Sequence, residues 1–150
     1  MTGQFYAGKA DADGAVNRGW LLGHFIPDGD IRHSDDVEIK WGVHPRGEER
    51  AQWVTSEERT SLHVLISGRF RIEVPGDSIL LAQQGDYVVL HKIGHSWTAE
   101  EDSILLSVRW PSVPGYAVPE EVLRAAQGSA AERTAGQPAS TTAMRRSADG

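Results

Sequence analysis

The chain of 150 residues contains no cysteine. Disulfide stapling, a zinc ribbon and thiol catalysis are thereby excluded. It has no excess of positive charge either: 15 Lys and Arg against 21 Asp and Glu leave a formal net charge of -6. That balance speaks against a nucleic-acid partner, whose phosphates need a basic surface. No apolar run approaches the ~20 residues of a membrane span. The stretch Met1 to Tyr6 lacks the basic and apolar regions of a secretory leader. No membrane partner and a cytoplasmic location are the expectations. Two catalytic signatures are missing as well, the Gly-x-x-x-x-Gly-Lys-Ser/Thr phosphate loop and the Gly-x-Ser-x-Gly nucleophile elbow. Ser61, Ser96 and Ser107 each lie near a His, but no orienting acid or oxyanion hole accompanies them, so a hydrolytic triad is not indicated.

What is present is a hydrophobic fraction of 39% and a charged fraction of 24%, enough for one domain with a real core. The apolar period is two. Val37, Ile39, Trp41 and Val43 alternate with Glu38, Lys40, Gly42 and His44. Leu62, Val64 and Ile66, then Phe70, Ile72 and Val74, then Ile104, Leu106, Val108 and Trp110 repeat the pattern. Turn clusters separate these runs: Pro27 to Asp30, Pro45 to Glu48, Pro75 to Asp77 and Gln84 to Asp86. Short strands with regular turns indicate an all-β sandwich or barrel. Residues 1–17 are small and polar and read as a flexible lead-in to a domain over 18–112. In 113–150, Pro119 to Ala126 has the Pro-then-acids start of a short helix that Gly128 ends. Beyond Gly128 there is almost nothing to bury, so disorder is expected.

Two segments carry a family likeness. Leu62 to Gly68 is a strand leading into a glycine; Gly85-Asp86 opens a second unit that runs through His91 to His95-Ser96-Trp97. In this the chain resembles the cupin superfamily, over about residues 37–110. The second cupin motif runs Gly, five residues, Pro, a short loop and a His. Here His91 takes the Pro position and His95 the His, with a loop one residue short. Glu38 to His44, Gly85 to Val88, His95 to Trp97 and Val108 to Ser112 look similar to short bacterial cupin-like proteins. The resemblance implies an all-β, cupin-like jelly-roll antiparallel β-barrel with flexible termini. It also implies a metal site, which this chain departs from. Ser61 stands at the usual Glu, and the two usual His positions fall near Thr55 and Glu57.

His63 lies two residues beyond Ser61 and, on a strand, shares its face. A rebuilt metal site would draw on His63, His95, His44 and Glu57, donors that suit divalent Fe, Mn, Ni or Zn. Without a metal, His63 is a hydrogen-bonded interior His and His95 a pocket donor. In either case His63 and His95 are the acid/base candidates, since imidazole titrates near neutral pH. His44 taken alone reads as a turn or surface residue. Of the five tryptophans, Trp97 and Trp53 are the expected pocket walls, whereas Trp41 and Trp110 are expected in the core. Arg109, if it faces inward, needs a partner: an anionic ligand, or Glu38 or Asp86 as the simpler alternative.

The functional expectation is a small-molecule-binding cupin acting as an enzyme of isomerase, cyclase or oxygenase type. A non-catalytic ligand-binding or sensing module competes with it. A homodimer, paired through a strand edge, is the other expected partner besides a small ligand.

Overall fold

The computed structural model describes residues 3–54 and 58–114. Glu57 and the segment expected to form a short helix and a disordered tail lie outside the described residues. The lead-in contains one helical turn, α1 (Ala10–Gly14), followed by β1 (Trp20–Leu22). Then come β2 (Glu38–His44), β3 (Thr60–Ser67), β4 (Phe70–Val74), β5 (Asp77–Leu81), β6 (Tyr87–His91), β7 (Ser96–Ala99) and β8 (Ser103–Trp110). No helix is long and apolar enough to cross a membrane among the described residues.

The strands form two antiparallel sheets, one of five strands in the order β1-β2-β8-β3-β6 and one of three in the order β5-β4-β7. They meet face to face. Leu65, Leu90 and Leu105 of the larger sheet pack with Phe70, Ile72, Leu81 and Ala99 of the smaller one. The segment before β3 is tied to β7 by a bridge at Glu49–Thr98 and to the residue just before β7 by one at Val54–His95. Strand β8, the last in sequence among the described residues, lies in the middle of its sheet between β2 and β3.

Register decides which side chains face the other sheet. Glu38, Arg109, Ser61 and Leu90 pair across four strands as one inward row. Lys40, Ser107, His63 and Val88 make the next, followed by Gly42, Leu105 and Leu65. The first two rows are largely polar and the third apolar, so one half of the interior is a network and the other a hydrophobic core. The period-two residues of β2, β3 and β8 therefore face outward. Ile39, Val108, Leu62 and Val89 form one outer row, and Trp41, Leu106, Val64 and Tyr87 another. Trp110 belongs to this outer face and is 40% exposed, which corrects the expectation that it fills the core. Trp41 is half-buried on the same outer face.

Two glycines at turns make a testable contrast. Gly68, between β3 and β4, has φ of +99°, and a Cβ there would strike the Asp102 carbonyl and Ser103. Gly85 has φ of +89° with open space around the missing Cβ. Gly85→Ala is expected to lose about 1 kcal/mol from conformational strain alone. Gly68→Ala, which adds a backbone clash, is expected to lose about 2–4 kcal/mol. Urea unfolding of both variants checks the order; equal losses would contradict the close approach at Gly68.

Candidate functional site

The polar half of the interior is organised by Glu38, the first residue of β2, which is fully buried. A buried carboxylate is tolerable only with strong partners. Arg59 Nη1 donates to Glu38 Oε1 at 2.7 Å, and Arg109 Nε lies 2.8 Å from the same oxygen. Both arginines are buried as well. The other carboxylate oxygen accepts from Ser112 Oγ at 3.2 Å. Ser112 Oγ in turn accepts from the His24 backbone N–H at 2.9 Å and lies 2.7 Å from His24 Nδ1. Because the hydroxyl hydrogen goes to Glu38, His24 Nδ1–H is the donor in the last contact. This serine has no capacity left to act as a nucleophile. Arg109 thus has the internal partner Glu38; Asp86 instead accepts from the backbone N–H groups of Ala82 and Gln83 in the turn before β6. The Arg109 guanidinium also lies 4.2 Å from the Trp20 ring centroid, and Lys40 Nζ lies 5.4 Å from it.

The adjoining row brings two imidazoles together. His63, mid-strand in β3, faces inward and stands with its ring centroid 6.0 Å from that of His95. His63 Nδ1 and Ser107 Oγ are 2.7 Å apart. Its Nε2 is buried and has no hydrogen-bond partner, although other atoms of the residue keep some exposure. Burial first, then the positive fields of His95, Arg109, Lys40 and His44, hold its pKa well below the usual 6.5. The ring is therefore neutral near pH 7. Ser107 can either give or take the shared hydrogen, so Nε2 can serve as a lone pair or as an N–H. His95 is clamped by paired backbone bonds to Val54 of 2.9 and 3.1 Å, and its Nδ1 lies 3.3 Å from the Ile93 carbonyl. A carbonyl only accepts, so Nδ1 of His95 carries a hydrogen.

The remaining expected residues are placed elsewhere. His44 is a correction: it is buried, not a turn or surface residue. It faces inward at the far end of β2, with Nδ1 at 2.7 Å from Glu48 Oε1 and its ring 4.7 Å from that of Trp97. Trp97 stacks on Phe70 at 5.2 Å beside the apolar cluster. Trp53 is half-buried in the segment next to Val54, the residue that clamps His95. Trp20, Lys40 and Arg59 were not singled out by sequence reasoning, and Ser107 only as a serine near a His. Arg59 follows Ser56-Glu57-Glu58, a stretch whose composition reads as a solvated loop.

No family model matches the chain, and neither does any curated protein. Among solved structures, an uncharacterised conserved protein with a double-stranded β-helix domain from Klebsiella pneumoniae is similar over 63% of this chain and 83% of its own. The TM-score is 0.50 at 21% identity. A double-stranded β-helix is the jelly roll of the cupins. The fold is cupin-like. KdgF from a Halomonas species is similar over 53% of this chain and 72% of its own, at 25% identity and a TM-score of 0.48. A cupin protein from Bacteroides fragilis is similar over 55% and 73%, at 20% identity and a TM-score of 0.45.

Cupins often hold a metal. Among the described residues, no three His, Asp or Glu side chains converge as a metal-binding group. Of the four donors expected, His63 and His95 are neighbours, His44 is bonded to Glu48, and Glu57 lies outside the described residues. Among the described residues, these two imidazoles fall short of the three- or four-donor set a transition-metal site needs.

Proposed function

We propose that this cupin-like chain binds a small metabolite at the polar end of its interior and acts on it as an enzyme of isomerase or cyclase type. The observation that carries the reading is His63 Nε2, a buried nitrogen without a protein partner, aimed into the sheet interior beside His95. Leaving such an atom unpaired costs about 1–3 kcal/mol, a penalty that a bound polar group removes. His63, neutral at pH 7, takes a proton from the substrate through Nε2 and returns the same proton to the neighbouring carbon, with His95 beside it to hold the substrate; transfer by a positioned group of this kind contributes about 10²–10⁴-fold. Lys40 and Arg109 stand in the same two inward rows, and their charges favour a substrate that carries a carboxylate or stabilises negative charge as the proton leaves. Trp53 is the nearby aromatic for a pocket wall. A ligand-binding or sensing module is the second reading, favoured by the same unpaired nitrogen if no proton moves.

The test begins with thermal unfolding of the purified protein against a panel of small hydroxy, keto and sugar acids. A compound that raises the melting temperature is then incubated with the protein in D2O, and exchange of its carbon-bound hydrogens is followed by NMR. Exchange in the wild type that falls at least a hundredfold in His63→Gln, with binding retained, is the expected result. Binding without exchange or turnover identifies a sensing module. If His63→Gln exchanges as fast as wild type, the assigned base is wrong. Elemental analysis of the untreated protein accompanies this: a stoichiometric transition metal lost in both His63→Ala and His95→Ala would replace proton transfer by metal-centred chemistry.

A further inference from the structure

Like His63 Nε2, Trp20 Nε1 is buried and has no hydrogen-bond partner among the described residues. The two residues belong to one register row. Trp20 of β1 pairs with Lys40, Lys40 with Ser107, and Ser107 with His63, so all four share the inward face. The Trp20 side chain is nearly enclosed, at 6% exposure. Its ring packs against Phe25 at 5.8 Å between centroids, with the Arg109 guanidinium at 4.2 Å and Lys40 Nζ at 5.4 Å. An indole N–H donates and cannot accept, and the two cations beside it are donors as well. Phe25 offers no acceptor. A phenylalanine at this place would keep the ring contacts without burying an unpaired donor, so packing alone does not account for the indole nitrogen. An oxygen brought in by a ligand does, because it restores the hydrogen bond that burial removed.

We infer that Trp20 is a specificity-determining residue of this interior: its indole N–H donates to a carboxylate oxygen of the substrate and holds the acid end at β1, with the reacting carbon at His63. The inference rests on the reading that the interior binds a small metabolite, and adds which way round that metabolite lies. The order of the row makes the assignment. Three strand spacings, about 14 Å of sheet, separate the Trp20 and His63 backbones, and Lys40 and Ser107 stand between them. The two nitrogens therefore meet different ends of a bound molecule. Charge distinguishes the ends. Arg109 and Lys40 lie against the Trp20 ring, where they favour an anionic acceptor, and an N–H bond to a carboxylate is roughly twice as strong as one to a neutral carbonyl. The His63 end presents a neutral imidazole suited to a C–H proton. Trp20 takes no part in the proton transfer itself; it contacts a part of the substrate that does not react.

Proton–nitrogen correlation NMR of the full chain tests this, with the Trp20 indole signal assigned by its contacts to the Phe25 ring. The probes are lactate, pyruvate and gluconate at millimolar concentration, each beside its neutral amide. At least one acid is expected to raise the melting temperature and to move the Trp20 indole proton downfield, as formation of a hydrogen bond requires; its amide is expected to do neither. Trp20→Phe, which keeps an aromatic ring against Arg109, is expected to bind that acid about ten- to a hundredfold more weakly. Where the acid also exchanges its carbon-bound hydrogens, the loss falls on KM and leaves kcat unchanged, the reverse of His63→Gln. The wild-type signal decides the matter even if Trp20→Phe fails to fold. An acid that binds and leaves the Trp20 indole proton unmoved overturns the inference while the binding reading stands. So does an acid that binds no better than its amide. If neither acids nor amides bind, the binding reading fails and takes this inference with it.

Discussion

Replacing Glu38 by Gln or Leu is expected to remove about 3–5 kcal/mol of folding free energy, a large share of the 5–15 kcal/mol a domain of this size holds. The carboxylate is fully buried, and Arg59 and Arg109 converge on one of its oxygens. Its charge is the shared counter-ion of two guanidiniums that are themselves buried. Gln keeps the shape and one acceptor but leaves both positive charges in a medium that solvates them poorly. Leu also strips the partner from Ser112 Oγ and so loosens the link to His24. The two variants are expected to be similarly destabilised, because the lost charge dominates. Adding Arg109→Met to Glu38→Leu is expected to recover part of the loss, since it withdraws one of the stranded charges. Chemical denaturation at pH 7 measures all of these. A loss below about 1 kcal/mol for Glu38→Gln would mean that water reaches the cluster and screens it as on a surface.

The second large effect is a pH dependence that originates at His63. Its folded pKa is depressed, chiefly by burial and then by the neighbouring positive groups His95, Arg109, Lys40 and His44. The unfolded chain therefore binds a proton below pH 6.5 that the folded chain refuses. Stability is full above 6.5 and falls as the pH drops below it, by up to about 1.4 kcal/mol per unit, until the folded pKa is reached. Other groups can be separated from this. Asp30, held at about 2 by Arg32, and Asp86 and Glu100, lowered by backbone and arginine donors respectively, remain ionised through the upper part of that window. His33 is raised, mainly by its bond to the Ile26 carbonyl, and acts in the opposite direction. The difference in slope between wild type and His63→Asn isolates the buried ring, and urea midpoints between pH 7.5 and 5 are the measurement. Parallel curves would show that His63 takes up a proton in the folded protein as easily as in the unfolded one.

Much of the scaffold was legible because strands and turns are local. The Phe70–Val74 run is β4, and the Ile104–Trp110 run is β8 less one residue. Gly68 and Gly85 sit at positive φ beside the strands they were expected to punctuate. Which face turns inward was not legible. Alternation separates Glu38 and Lys40 from Ile39 and Trp41 equally well whether the charges face solvent or a network. The choice is made by Arg59 and Ser112, both far from Glu38 in sequence. The same holds for His44, whose burial depends on Glu48, Phe70 and Trp97 closing around it. Arg109 was readable to the extent that an inward guanidinium demands a carboxylate, and Glu38 was one of the two named. The His63–His95 pairing followed from parity and motif position, because Ser61 and His63 must share a face.

The central place of β8 bears on synthesis of the chain as well as on the finished fold. It pairs with β2 through seven residues and with β3 through seven more, and both partners leave the ribosome long before it does. Until residues 103–110 emerge, β2 and β3 each present a bare edge, and Glu38 and Ser61 lack the strand that lies between them. The nascent chain must hold two unsatisfied edges apart until β8 inserts, a topology that folds late and exposes the intermediate to strand-swapped association.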